Sequence, residues 1–150
     1  MNTNPTKTWK ITINEDEVFS RCTNETLYQA YSRMSENPKG DAIVIKDEDR
    51  GQFNVYLSAA VANLRMLLAR YMSESSIETN LGLSFELQMH ENHDNNILPI
   101  LINHCYEYVV RKVLEQWYHA DFGSELSRLD ILHCLHYRKN PVRRRVGPMF

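Results

Sequence analysis

NILPILINHCYEYVVRKVLEQWYH, residues 96–119, is the segment from which the fold of this 150-residue chain is best predicted. Its apolar side chains recur at helical spacing, but they cover more than one face of the helix that they predict. Pro99 does not oppose this helix, because a proline in the first turn removes a donor that has no partner inside the helix. A helix that is apolar around its girth lies at the centre of its own fold or is partly covered by another chain. We expect both here.

The segments before this helix predict two more helices. Residues 15–36 form one helix or two short ones, with Asn14 as the N-cap and three acidic residues favourably placed in the first turn. Apolar residues from 53 to 71 form one continuous stripe at the helical period, which predicts a long helix. Asp47 or Asp49 is the expected N-cap of that helix.

A shorter helix follows the central one. It is expected over residues 125–138, with Ser124 as its N-cap and Pro141 beyond its end. Its apolar side is expected to comprise Leu126, Leu129, Ile131, Leu132 and Leu135.

Short segments elsewhere predict β-strands. Apolar and polar residues alternate over 9–13 and 83–89, which is typical of strands with one buried face, and the apolar run 42–45 is a candidate third strand. The predicted fold is therefore mainly α: a bundle of three or four helices with two or three short β-strands at one edge.

The charges divide the chain into an acidic body and a basic end. Residues 138–150 carry a formal charge of +5 and residues 1–137 carry −7. The five bases of the end are Arg138, Lys139, Arg143, Arg144 and Arg145. We expect a flexible N-terminus over 1–8, a single helical domain over 9–137 and a basic, extended C-terminal arm over 138–150.

The basic end has three interpretations. It is a solvated tail, a nucleic-acid contact that neutralises phosphates without reading sequence, or an arm whose arginines bind acidic residues of a neighbouring subunit. The apolar terminus, which ends at Phe150, favours the docked arm, because a purely solubilising tail is rarely apolar.

The composition excludes several classes of protein. Apolar residues make up 43% and charged residues 24%, which is ordinary for a globular domain and too apolar for a disordered chain. No run of about 20 consecutive apolar residues occurs, so no membrane partner is expected. Three cysteines without paired spacing argue against a disulfide scaffold and favour a reducing compartment.

Catalytic and metal-binding motifs are weak. His133 and His136 are three residues apart on a predicted helix, but no CxxC pair accompanies them, so we expect no metal site and no cofactor. No nucleophile with its base and no phosphate-binding glycine loop can be assembled, so we expect no enzymatic activity.

Aromatic residues crowd the last third of the chain and point to an interface. Tyr106 and Tyr118 are the candidates for partner binding, because aromatic side chains are preferred interface anchors and a 150-residue domain has limited interior for so many rings. Trp117 is assigned to the core. With Phe150 and the five bases of the C-terminal arm, these tyrosines complete the predicted partner-binding set.

Several of these segments together resemble a family. They are WKITI (9–13) before DEV (16–18), DEDR (47–50) before a long helix, LEQWY (114–118) at a helix end, and YRKNPVRR (137–144). Their order and spacing resemble a group of small virion-assembly proteins of tailed phages and prophages of gut bacteria. In overall design the chain also looks like the helical head–tail connector proteins, which assemble as rings beneath the phage portal.

This resemblance implies a structural role and supplies no active-site residues. The expected function is that of a neck or adaptor subunit in the virion, made in the cytoplasm of the host bacterium. Its expected partners are copies of itself in a ring, the portal protein, tail or neck proteins and, in passing, packaged DNA. The alternative is an adaptor that binds nucleic acid through Arg143, Arg144 and Arg145.

Overall fold

Within residues 6–34, 44–72 and 83–137, which the computed structural model describes, four helices pack beside a two-stranded sheet. The strands are β1 (Thr6–Thr12) and β2 (Ser84–His90). The helices are α1 (Glu15–Met34), α2 (Arg50–Leu68), α3 (Ile97–Tyr118) and α4 (Ser124–His136). The predicted mainly α bundle with short strands is confirmed.

The central helix is α3, which contacts α1, α2, α4 and β1. Cys105, Val109 and Val113 on one of its sides are fully buried, and apolar residues on its other sides are half-buried against the same core. The apolar surface around α3 is therefore covered largely by elements of its own chain.

The two strands pair antiparallel, with Trp9 opposite Leu87 and Ile11 opposite Phe85. All four of these side chains are at most 2% exposed, because alternate residues of each strand face the helices. Pairing extends to Thr6 opposite His90, so β1 includes residues 6–8, which we expected to belong to a flexible N-terminus.

The first helix is a single, continuous one, which decides between the two alternatives left by its sequence. Asn14 caps it as predicted, since its side-chain oxygen accepts the N–H of Glu17 at 3.0 Å. The rings of Phe19 and Phe53 meet edge to face with centroids 4.9 Å apart, which joins α1 to α2.

The prediction of a strand over residues 42–45 is wrong for Val44 and Ile45, the two of these residues that the structure describes. Residues 42 and 43 lie outside the described residues, and Val44 and Ile45 have no strand pairing. Ile45 is 1% exposed, and its N–H donates to the hydroxyl of the buried Thr26 at 3.1 Å. A side-chain hydroxyl thus replaces the strand partner, and the apolar run enters the core as an irregular segment.

The helix α2 begins after a short 3-10 turn, Asp47–Asp49. Asp49 holds the N-cap position of α2, but its carboxylate makes no cap bond there and instead accepts the N–H of Lys46 at 2.9 Å. A second 3-10 turn, Ala69–Tyr71, ends the helical stretch.

Candidate interaction surface

Helix α4 is fixed at its N-terminus by a carboxylate from α3. Glu115 accepts hydrogen bonds from the N–H groups of Phe122 and Ser124, at 3.0 and 3.1 Å, and from the Ser124 hydroxyl at 2.8 Å. Negative charge at this end of a helix is favoured by the helix dipole and by the N–H groups that have no intrahelical partner. The prediction of Ser124 as N-cap is wrong: Gly123, with φ of 83°, holds that position, and Ser124 is the first helical residue.

An arginine of α3 supports the same turn. Arg111 donates to the carbonyl oxygen of Gly123 at 3.1 Å and to the hydroxyl of Ser127 at 3.0 Å. A Cβ at Gly123 would stand 3.6 Å from this guanidinium, and the positive φ would strain any other residue there. Two charged side chains of α3 therefore set the direction in which α4 leaves the turn.

The other end of α4 is held by a buried histidine. Nε2 of His93, a residue that is 4% exposed, lies 2.9 Å from the carbonyl oxygen of Leu135. The ring also meets Trp9 edge to face, with centroids 5.7 Å apart, and Lys7 donates to the backbone carbonyl of His93. Since both ends of α4 are anchored, its outer face has a defined orientation.

This outer face is apolar. Leu126 and Leu129 are 59% and 50% exposed, whereas Ile131 and Leu135 are buried. The single apolar side predicted for this helix is therefore wrong, because its apolar residues divide between a core-facing side and a solvent-facing side. His133 continues the exposed row at the spacing i, i+3, i+7, and we call Leu126, Leu129 and His133 the α4 face.

A second exposed apolar row runs along α2 and was not predicted. Val55 and Met66 are 61% and 76% exposed, Ala62 is exposed and Ala59 is half-buried. These four residues follow one another at steps of four, three and four, so they lie on one side of the helix, opposite its buried stripe. We call them the α2 face. The helical spacing of these four residues in the sequence is the signal from which this second row could have been predicted.

The structure places the predicted interface residue Tyr106 between α3 and the start of α1. Its hydroxyl accepts the N–H of Asn14 at 2.7 Å and lies 3.4 Å from the carbonyl oxygen of Thr12. The guanidinium of Arg21 lies 4.8 Å from the centre of its ring. Tyr106 therefore joins the end of β1 to α3 within one chain.

The other predicted partner-binding residues fall into two groups. Tyr118 is half-buried and stacks on Phe122, with ring centroids 5.0 Å apart and an interplanar angle of 15°. Arg138, Lys139, Arg143, Arg144, Arg145 and Phe150 lie outside the described residues. The structure therefore brings Tyr118 close to the N-terminus of α4 and away from Tyr106.

Two open grooves lie beside these surfaces. One, of about 450 Å³, runs along α2 and is lined by Ser58, Ala62 and Leu83 among others. The other, of about 410 Å³, lies between α1 and α3 and is lined, among others, by Arg21 of α1 and by the ion-paired Arg111 and Glu107 of α3. In the part of the chain that the structure describes, no three metal-ligating side chains converge.

The three cysteines are buried and free. Burial, with a smaller effect of the Glu25 carboxylate, raises the pKa of Cys22 from 9.0 to about 12. Burial also raises the pKa of Cys105 and of Cys134. All three are therefore protonated near neutral pH, and a thiol in this form is a poor nucleophile and a poor metal ligand.

Helices long and apolar enough to cross a membrane do not occur within residues 6–34, 44–72 and 83–137. Comparison of the chain with protein-family models, with curated proteins and with solved structures finds no match. The interaction surfaces described above are thus interpreted from their own chemistry.

Proposed function

We propose that this chain is a structural, non-enzymatic subunit that assembles with copies of itself. The observation that carries the proposal is the outward pair Leu126 and Leu129 on a helix held at both ends. Exposed leucines on a rigid helix stabilise association, because burying them against a partner removes apolar surface from water without first ordering the helix.

The assembly that we propose is the ring of a head–tail connector, between the portal and the tail of a phage virion. The support for this identity is the resemblance of the sequence motifs to virion-assembly proteins and to connectors. The division of charge, −7 in residues 1–137 and +5 in residues 138–150, supports a basic arm that binds the acidic body of a neighbouring subunit.

Light scattering of the full chain over a range of concentrations tests self-assembly. We expect a mass above that of one chain, growing with concentration, and closed rings in negative-stain electron microscopy. A chain that remains monomeric at every concentration would contradict the proposal.

Deletion of residues 138–150 tests the arm. Because α4 ends at His136, we expect the truncated chain to unfold at the same temperature as the full chain when both are monomeric, yet to assemble more weakly. Equal assembly by the truncated chain would remove the arm from the proposal.

Binding to nucleic acid separates this proposal from its alternative. Phosphate contacts by Arg143, Arg144 and Arg145 would give an affinity for duplex DNA that falls steeply between low and high salt. For a connector arm that binds protein, we expect little affinity for DNA at low salt. Strong and salt-sensitive binding would favour the nucleic-acid adaptor.

A further inference from the structure

The α4 face and the α2 face differ in shape. Leucines protrude from the first, whereas the middle of the second consists of Ala59 and Ala62, with the larger Val55 and Met66 on either side. The two alanines are three residues apart, and so are Leu126 and Leu129. All α-helices have the same rise per residue, so the two leucines are spaced along α4 as the two alanines are along α2. Each leucine can therefore lie over one alanine at the same time.

From this match we propose that α4 of one copy docks antiparallel on α2 of the next, with Leu129 over Ala59 and Leu126 over Ala62. The inference rests on the proposed self-assembly and names its contact. Since the two faces belong to different helices, the contact is heterologous, and repetition of such a contact closes into a ring when its rotation permits.

Charge complementarity decides the direction of the docked helix. In the antiparallel register, His133 lies over Val55, so α4 ends beside the acidic turn Asp47–Asp49 at the start of α2. Asp47 and Glu48 are exposed, and none of the cations in the described residues forms an ion pair with either of them. The residues that follow α4 in the sequence, from Arg138 onward, carry the +5 charge.

The opposite ends match as well. The exposed Asp121, just before α4, comes close to the exposed Arg70 just after α2 in the antiparallel register. The parallel register would bring the basic continuation of α4 to Arg70 and Asp121 toward the acidic turn. Like charges would then meet at both ends, which disfavours that direction.

Two blocking variants distinguish this contact from a symmetric one. Leu129→Glu places a charge on the α4 face, and Ala62→Arg places a long cation on the α2 face, both at exposed positions. Each variant alone is expected to be monomeric. Their equimolar mixture is expected to form a complex of one copy of each, because each variant retains the face that the other has lost.

Several results of this experiment would overturn the inference. Ala62→Arg alone forming a stable dimer would indicate that α4 pairs with α4, and a mixture that remains monomeric would show that the two faces do not meet. Wild-type chain that never assembles would refute the proposed function together with the inference, whereas wild-type assembly with a monomeric mixture refutes the inference alone.

Control substitutions on α1 distinguish this contact from nonspecific association. Tyr31 is 73% exposed and Ser20 is exposed, both away from the two faces. We expect Tyr31→Glu and Ser20→Arg to assemble like the wild type. Circular dichroism and thermal unfolding of all four variants confirm that each is folded.

Cysteine cross-linking tests the register. A chain with Ala62→Cys and Leu126→Cys, oxidised by copper–phenanthroline, is expected to form disulfides between copies in high yield. The mismatched pair Val55→Cys with Leu126→Cys, two helical turns out of register, is expected to form few. Equal yields from the two pairs would contradict the register, and the native cysteines interfere little because all three are buried.

Discussion

Glu115 binds both the backbone and the side chain of Ser124, with its two carboxylate oxygens 3.1 Å from the N–H and 2.8 Å from the hydroxyl. The residue that closes the N-terminus of α4 therefore belongs to α3, nine positions earlier in the sequence. Together with Arg111 and His93, Glu115 therefore sets the orientation of α4 and of its exposed leucine pair.

Removal of this carboxylate should destabilise the fold. Glu115→Ala leaves the half-buried N–H groups of Phe122 and Ser124 and the Ser124 hydroxyl without their acceptor, and we expect a loss of about 1–3 kcal/mol in the free energy of unfolding. Chemical denaturation measures it. Glu86→Ala is the control, since Glu86 is exposed and 3.9 Å from Lys10, and it should cost less than about 1 kcal/mol. Equal costs would contradict the role of Glu115.

The contact between His93 and Leu135 should stabilise the last turn of α4. His93→Ala removes a buried ring, its contact with Trp9 and its hydrogen bond to the Leu135 carbonyl, and we expect a loss of about 2 kcal/mol or more. Hydrogen exchange should then show faster exchange in the last turn of α4 than in its first turn. Unchanged protection of that turn would show that the histidine does not hold it.

The buried thiol of Cys22 predicts destabilisation in alkali. Its pKa is about 12 in the folded chain against 9.0 for an ordinary thiol, so the unfolded chain releases this proton at lower pH. The contribution of the protonated Cys22 thiol to the free energy of unfolding is therefore fully present below pH 9 and is lost progressively as the pH rises toward 12. Denaturation midpoints at pH 8 and pH 10 measure the change, and Cys22→Ala should show a smaller decrease between them. An identical decrease in the variant would refute the assignment.

The guanidinium of Arg50 joins the starts of α1 and α2. It lies 2.6 Å from a carboxylate oxygen of Asp16 and 4.3 Å from the centre of the Phe19 ring. We expect Arg50→Ala to lower the free energy of unfolding by about 1 kcal/mol, and Arg50→Lys to recover only part of it, because lysine retains the charge but not the flat stacking surface.

Salt separates the two contributions of Arg50. The ion pair is exposed and should be screened in high salt, whereas the stacking on Phe19 should not be. The difference between wild type and Arg50→Lys is therefore expected to persist at 1 M salt. Its disappearance there would assign the whole effect to charge.

The sequence predicted the helices and both paired strands within a few residues, and it predicted Asn14 as a cap. These features depend on residues close together in the chain, namely the period of the apolar side chains and the side chains at a helix start. The candidate surface was predicted less well. Leu126 and Leu129 were predicted to share one apolar side with Ile131 and Leu135, but α4 carries apolar residues on two sides, and periodicity alone does not say which side meets α3.

Local pattern and composition were sufficient to predict the set of elements and the charge difference between residues 1–137 and 138–150. Three features could be read only from the folded chain: Glu115 accepts the N–H groups at the start of α4, Ile45 is buried without a strand, and Leu126 and Leu129 face outward. These features depend on contacts between residues that are distant in sequence, such as Ile45 with Thr26 and the two ends of α4 with Glu115 and His93, and local pattern does not determine such contacts.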